Sequence, residues 1–82
     1  MIISEIYVPI LDKRYEFRLN EDVLVCWIIE EIVSVICQKE QFDLPEIKNK
    51  FLLYKSETMQ ILSNNLSLYE NGINTGDLMV LV

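Results

Sequence analysis

The stretch NGINTGDLMVLV, residues 71–82, decides the fold, because it contains both glycines of the chain and ends in a purely apolar run. Gly72 stands where a glycine closes a short helical turn, and Gly76 stands in a second turn. We interpret residues 78–82 as the last strand of a sheet. A membrane or partner anchor, or the stub of a longer tail, would be the alternative explanations of such a run.

The residues just before this stretch complete the first of these turns. Ser67 and Glu70 have the S-x-x-E spacing of a capping box, in which each side chain binds the backbone N–H of the other residue. We therefore predict one short helical turn that begins at Ser67 and closes at Gly72, with Ile73 turning back into the core.

The first part of the chain predicts a β-hairpin. Residues 2–10 are rich in β-branched and aromatic side chains, and residues 15–19 alternate between apolar and polar. A polar turn over residues 11–14 separates the two strands. The side chains expected to face the core are Ile6, Val8 and Ile10 on the first strand and Tyr15, Phe17 and Leu19 on the second.

A helix is predicted from about residue 23 to residue 38, after the cap-type residues 20–22. Its inner stripe consists of Val25, Ile28, Ile32 and Ile36. Trp27 breaks the pattern, because it projects from the polar face of the helix. The other residues on or near that side are Cys26, Val33 and Cys37.

Two interpretations of Trp27 are open. Its side chain could fold over the adjacent loop and be mostly covered, or it could form part of an interface, because tryptophan is enriched at binding hot spots. Cys26 and Cys37 would lie about 16 Å apart along one helix, too far for a disulfide. Free thiols favour a reducing compartment.

The second half of the chain adds three more strands. A connection over residues 39–50 contains a single helical turn that begins at Pro45. Strands over residues 51–54 and 59–62 follow, separated by a turn at 56–58. The last strand has room to pair only beside the first strand, in parallel, or beside the third. The chain is therefore predicted to be one α+β domain, residues 1–82, with one helix on one face of a mixed sheet of four to five strands.

This layout resembles the β-grasp fold of ubiquitin. The closing pattern Leu68-x-x-x-Gly72-Ile73-x-x-Gly76-Asp77-x-Met79-x-Leu81 resembles the end of the YukD/EsaB family, small ubiquitin-like proteins that accompany bacterial type VII secretion systems. Residues 15–32 also have the spacing of that family from the second strand into the helix. The resemblance covers nearly the whole chain and departs most over residues 38–50.

The resemblance implies a cytoplasmic accessory or regulatory protein that contacts a component of the secretion machine. Members of the family lack the Gly-Gly end that ubiquitin uses for covalent conjugation. This sequence ends at Val82 without a glycine tail, so we expect it to act by surface contacts rather than by conjugation.

The composition argues against catalysis and against several kinds of partner. The chain has no histidine, no C-x-x-C pair and no phosphate-binding glycine loop, so we expect no enzyme activity, no metal and no cofactor. The net charge of −6 disfavours nucleic acid. We see no signal peptide and no apolar run of the ~20 residues that cross a membrane, which favours the cytoplasm and no membrane insertion.

Binding is therefore the expected activity, and the outer face of the sheet is the first candidate surface. If Phe51 and Leu53 point inward, their neighbours point outward, and the same applies if Leu78, Val80 and Val82 point inward. The candidate protein-contact residues are then Leu52, Tyr54, Met79 and Leu81 on the sheet, with Trp27 on the helix. The alternative is that these are scattered surface side chains, which are normal.

Two other functions compete with the secretion role. A ubiquitin-like modifier or sulfur carrier would need a C-terminal Gly-Gly. A ubiquitin-like subunit or effector of a multicomponent enzyme would be expected to co-purify with an oxygenase or a reductase. Two copies of the chain could also pair as a homodimer, through Trp27 and the cysteines or through the sheet.

Overall fold

The computed structural model describes residues 1–40 and 51–82, which form a five-stranded mixed sheet with one helix. The elements are strand β1 (Ile2–Val8), strand β2 (Lys13–Leu19), helix α1 (Val25–Glu40), strand β3 (Leu53–Lys55), strand β4 (Gln60–Ile61) and strand β5 (Leu78–Leu81). Their order across the sheet is β2-β1-β5-β3-β4. This is the predicted α+β architecture, and the helical turn predicted at Pro45 lies outside the described residues.

The last strand lies in the middle of the sheet. β5 pairs in parallel with β1 and antiparallel with β3. The sequence left these two strands as its possible neighbours, and β5 pairs with both. The other pairs, β1 with β2 and β3 with β4, are antiparallel hairpins. An apolar run with no charged residue suits this place, because a central strand is covered more than an edge strand.

The core lies between the sheet and α1. The fully buried side chains on the sheet include Ile6, Leu53, Met79 and Leu81, and those on the helix include Val25, Ile28 and Ile32. Tyr15 and Phe17 pack against this cluster from β2, and Leu19 is buried in it, as predicted. Val33 is 3% exposed and belongs to the core, so its predicted place near the solvent side was wrong.

Ile10 was expected in the core but is 69% exposed. β1 ends at Val8, and the backbone then turns: the N–H of Leu11 donates to the carbonyl of Val8, and the N–H of Asp12 donates to that of Pro9. Asp12 completes the turn at a φ of 52°. The strand therefore stops two residues before Ile10, whose side chain leaves the alternation that residues 6 and 8 follow.

The helix begins at Val25 rather than at residue 23. Its first free N–H groups donate to backbone carbonyls of the loop before the capping box: Val25 to Leu66 at 2.9 Å and Cys26 to Asn64 at 3.3 Å. Asn20 accepts instead from the N–H of Asp22, in a local turn. Backbone carbonyls of a distant loop therefore cap the start of the helix, where the sequence predicted capping by the side chains of residues 20–22.

Helix α1 is described as far as Glu40, past its predicted end at residue 38, and Glu40 is anchored to β2. Lys13 donates to both carboxylate oxygens at 2.9 Å, and the hydroxyl of Tyr15 donates to one of them at 2.7 Å. The hydrogen bond from Lys13, and then that from Tyr15, lowers the pKa of Glu40. Burial, followed by the bond to Glu40, raises the pKa of Tyr15 to about 12.

The turns around the two glycines have the predicted geometry. Ser67 and Glu70 form the capping box, with side chain to backbone distances of 3.0 and 3.1 Å. Gly72, at a φ of +79°, closes the turn, and the N–H of Ile73 donates to the carbonyl of Leu68 in the pattern of a Schellman motif. Gly76, at a φ of +91°, donates to the carbonyl of Ile3, which aligns β5 beside β1.

Candidate protein-contact surface

The face of the sheet opposite α1 carries a row of side chains that crosses all five strands. Tyr7 of β1 is in register with Arg14 of β2 and with Val80 of β5. Tyr54 of β3 is in register with Val80 and with Ile61 of β4. Because successive side chains of a strand alternate between faces, this row lies opposite the buried residues Ile6, Met79 and Leu53. We call it the sheet row: Arg14, Tyr7, Val80, Tyr54 and Ile61.

The sheet row is exposed at both ends, at Ile61 of β4 and at Arg14 of β2, and more covered between them. Ile61 is 60% exposed, and both tyrosines are half-buried. Val80 is buried although it stands on the outer face, and it does not belong to the core cluster. Its cross-strand neighbours on that face are the two tyrosines, which are large enough to shield it. The row therefore presents a continuous surface of aromatic and aliphatic groups.

A second pair extends this surface beside the row. Leu52 and Val82 exchange two backbone hydrogen bonds of 2.7 and 2.9 Å, so they stand opposite each other. Their exposed fractions are 37% and 48%. Leu52 and Tyr54 were both expected to point outward, and this orientation is confirmed, since Leu53 between them is fully buried. We use the name sheet patch for Leu52, Tyr54, Ile61, Val82, Tyr7 and Val80.

Met79 and Leu81 were predicted on this surface, and that prediction was wrong. They are 0% and 2% exposed and belong to the core cluster. The reason is the register of β5: Met79 is opposite Ile6 of β1, and Leu81 is opposite Leu53 of β3, and both of those partners face the helix. Partners in register share a face of the sheet, so β5 presents Val80 outward instead.

The β2 end of the sheet row is charged. The guanidinium of Arg14 lies 5.8 Å from the ring centre of Tyr7 and 3.4 Å from the carboxylate of Glu5. The hydroxyl of Tyr7 donates to Asp12 at 2.9 Å, and this hydrogen bond raises the pKa of Tyr7. The surface therefore changes from apolar at β4 to charged at β2, which would orient a partner lying across it.

Trp27 lies on α1, away from the sheet patch, and is 61% exposed. The interpretation in which the adjacent loop covers it is therefore wrong. Cys26 and Cys37 are free and half-buried, and Cys37 packs against the core. The structure does not bring Trp27 together with Leu52 and Tyr54, because the helix and the outer face of the sheet lie on opposite sides of the core.

Four residues of the sheet patch were missed from the sequence: Tyr7, Ile61, Val80 and Val82. Tyr7 could have been found, because the inward assignment of Ile6 and Val8 places it outward. Ile61 lies in β4, a strand of only two residues that is followed by the buried Leu62. Two residues are too few to show an alternation. Val80 and Val82 were missed because the predicted phase of β5 was reversed.

Over residues 1–40 and 51–82, no group of three or more His, Cys, Asp or Glu side chains is placed to hold a metal ion. Within the same residues, no helix has the length and apolar character needed to cross a membrane.

No protein-family model matches the chain, and no curated protein matches it significantly. Solved structures do. A ubiquitin-like domain of an Arabidopsis thaliana protein superposes with a TM-score of 0.73 at 20% identity, covering 99% of this chain and 74% of that one. The EccD5 ubiquitin-like domain from Mycobacterium xenopi gives 0.72 at 20% identity, covering 99% and 91%. The ubiquitin-like domain of Plasmodium falciparum Dsk2 gives 0.71 at 22% identity, covering 99% and 95%. The chain therefore has the ubiquitin-like β-grasp fold.

Proposed function

We propose that this protein is a non-enzymatic ubiquitin-like module that binds another protein through the sheet patch, without covalent conjugation. The observation that carries the proposal is the sheet row, in which aromatic and aliphatic side chains adjoin across four strands and end in the 60% exposed Ile61. Scattered apolar residues are ordinary on a protein surface, but a continuous patch is typical of a contact surface.

We propose further that the partner is a component of a bacterial type VII secretion system and that the protein acts in the cytoplasm as an accessory or regulatory subunit. Two observations support this role. Gly72 and Gly76, the two glycines of the ending that resembles the YukD/EsaB family, both adopt a positive φ. The EccD5 ubiquitin-like domain from a mycobacterium has the same fold over 99% of this chain.

The sheet patch has the features of a small recognition site. Its tyrosines combine apolar rings with hydroxyl groups, a combination enriched at protein interfaces. Val80 is already shielded, so Ile61, Leu52 and Val82 supply most of the apolar surface that a partner would cover. A partner that places an apolar side chain near Ile61 and polar groups near Arg14 and Asp12 would match the change along the row.

The test is complementation of a host strain that lacks the gene. We expect a gene carrying Ile61→Asp with Tyr54→Ala to fail to restore export of a type VII substrate into the medium. Gln38→Glu is the control, because it also adds one negative charge at an exposed position, on the helix. Circular dichroism and immunoblotting check that both variants are folded and equally abundant.

Two outcomes would contradict the proposal, and they separate its two parts. Normal export by the double variant would show that the sheet patch is not the contact surface. Normal export by the strain without the gene would show that the protein has no role in this secretion pathway, whatever its surface binds.

A further inference from the structure

A second apolar surface lies around the start of α1, on the helix side of the molecule. We name it the helix-start patch: Leu24, Trp27, Leu66 and Tyr69, whose exposed fractions are 38%, 61%, 39% and 71%. These residues come from two segments that are distant in sequence, so no single amphipathic stretch reveals them.

Backbone contacts hold the two segments together. Leu24 forms a β-bridge with Ser67, and the N–H of Val25 donates to the carbonyl of Leu66. The N–H of Tyr69 donates to the carbonyl of Glu21 at 3.0 Å. Trp27 lies one helical turn after Leu24, with its N–H bonded to the Leu24 carbonyl. The capping box of Ser67 and Glu70 also holds the loop, so hydrogen bonds fix the backbone on both sides of the patch.

The charged side chains on the two segments that carry the helix-start patch are all negative, and one cation, the N-terminal ammonium, pairs with Glu21 at 3.1 Å. Glu30 and Glu31 follow Trp27 by three and four residues, so they lie beside it on the helix, and both are exposed. Asp22 precedes the helix, and Glu70 follows Tyr69; both are also exposed. The sequence has no Lys or Arg over residues 19–38 or 56–82, which together contain every residue of the patch and its rim. The nearest helical cation, Lys39, is about 18 Å along the axis from Trp27.

This charge pattern favours one kind of occupant. Two copies of the chain would bring two acidic rims together, and an anionic surface would be repelled in the same way. The N–H groups of Val25 and Cys26 at the helix start are already bonded to carbonyls, so they offer nothing to an anion. A cationic segment with an apolar face would satisfy both the carboxylates and the exposed rings.

We propose that the helix-start patch binds a basic amphipathic helix of a partner protein. Apolar side chains spaced three and four residues apart would cover Trp27 and Leu24, and flanking Lys or Arg would pair with Glu30 and Glu31. Because the sheet patch lies on the other side of the core, the protein would hold two partners at once. Binding at the helix-start patch does not depend on the type VII role or on the sheet patch; only the simultaneous binding of two partners does.

The only tryptophan of the chain lies in this patch, so its fluorescence reports binding directly. The probe is a synthetic helix with leucine on one face and lysine on both flanks, without tryptophan or tyrosine. We expect a saturable blue shift of Trp27 emission that weakens as salt is added. The matched control peptide has glutamate in place of every lysine and should leave the emission unchanged.

Variants locate the site, with binding followed by the anisotropy of a dye on the peptide. We expect Trp27→Ala to weaken binding about thirty-fold, as at a hot spot. Glu30→Gln with Glu31→Gln should weaken it about three- to tenfold at low salt, since each exposed ion pair contributes little. Ile61→Ala, in the sheet patch, should bind as the wild type does.

Several results would overturn the inference. One is no change in emission with the lysine peptide, and another is equal binding of the lysine and glutamate peptides. Loss of binding in Ile61→Ala but not in Trp27→Ala would move the site to the sheet. Sedimentation of the wild type as a dimer that Trp27→Ala dissociates would identify the occupant as a second copy.

Discussion

Replacing Met79 by alanine tests the strand register on which the sheet patch depends. Met79 is fully buried between sheet and helix, in register with Ile6. Truncation of a buried methionine removes its transfer free energy and leaves a cavity, which together cost about 2–5 kcal/mol. For a domain of this size, each kcal/mol lowers the midpoint of thermal unfolding by about 4–8 °C. We therefore expect the midpoint to fall by roughly 8–40 °C.

Two further truncations to alanine serve as controls, one at the neighbouring residue of β5 and one at an exposed residue of β4. Leu78→Ala changes the neighbouring residue on the same strand, which is only half-buried, so it should cost clearly less. Ile61→Ala removes an aliphatic side chain that is 60% exposed, and it should lie within about 0.5 kcal/mol of the wild type. The assay is urea unfolding followed by circular dichroism, in which equal slopes show that only stability has changed.

The opposite register would reverse this order. If Leu78 faced the core and Met79 faced solvent, Leu78→Ala would cost the larger amount and Met79→Ala almost nothing. That result would refute the placement of Met79 and Leu81 in the core, and with it the composition of the sheet patch.

Three other predictions concern the turns and the anchored end of the helix. Ser67→Ala should destabilise the protein by about 0.5–2 kcal/mol in urea unfolding, because it removes one half of the capping box, and an unchanged midpoint would contradict that role. Gly72→Ala should cost about 1–2 kcal/mol from its left-handed φ alone, since the added methyl group meets no other atom within 4 Å. The fold raises the pKa of Tyr15 from 10.0 to about 12, so folding favours the neutral phenol. The stability that Tyr15 contributes is therefore complete below pH 10 and is lost as the pH rises from 10 to 12. Tyr15→Phe should remove that part of the pH dependence, and an unchanged profile would show that the fold does not raise the pKa of Tyr15.

The order of the strands and of the single helix along the chain could be predicted from the sequence, because each element carries a local signal. β2 alternates between apolar and polar side chains. The capping box of Ser67 and Glu70, followed by Gly72, predicts a helical turn from six consecutive residues. These signals depend on neighbours in the chain, which a sequence displays directly.

The phase of β5 could not be predicted, because its run of apolar residues has no polar member to mark the outer face. Its two neighbouring strands decide the phase, through the register of Met79 with Ile6 and of Leu81 with Leu53. The helix start was missed for a similar reason, since the carbonyls that cap it come from Asn64 and Leu66, about forty residues further along the chain. Contacts between residues so far apart in the chain leave no periodic pattern in the sequence.

Site-specific photocrosslinking in the host cell tests the central claim, that the outer face of the sheet binds a protein partner, most directly. A photoreactive phenylalanine at position 61 should give one dominant adduct with a type VII secretion component, identified by mass spectrometry. The same group at position 38, on the exposed side of the helix, should not give that adduct. An adduct that forms equally well from position 38, or no adduct from position 61, would contradict the account.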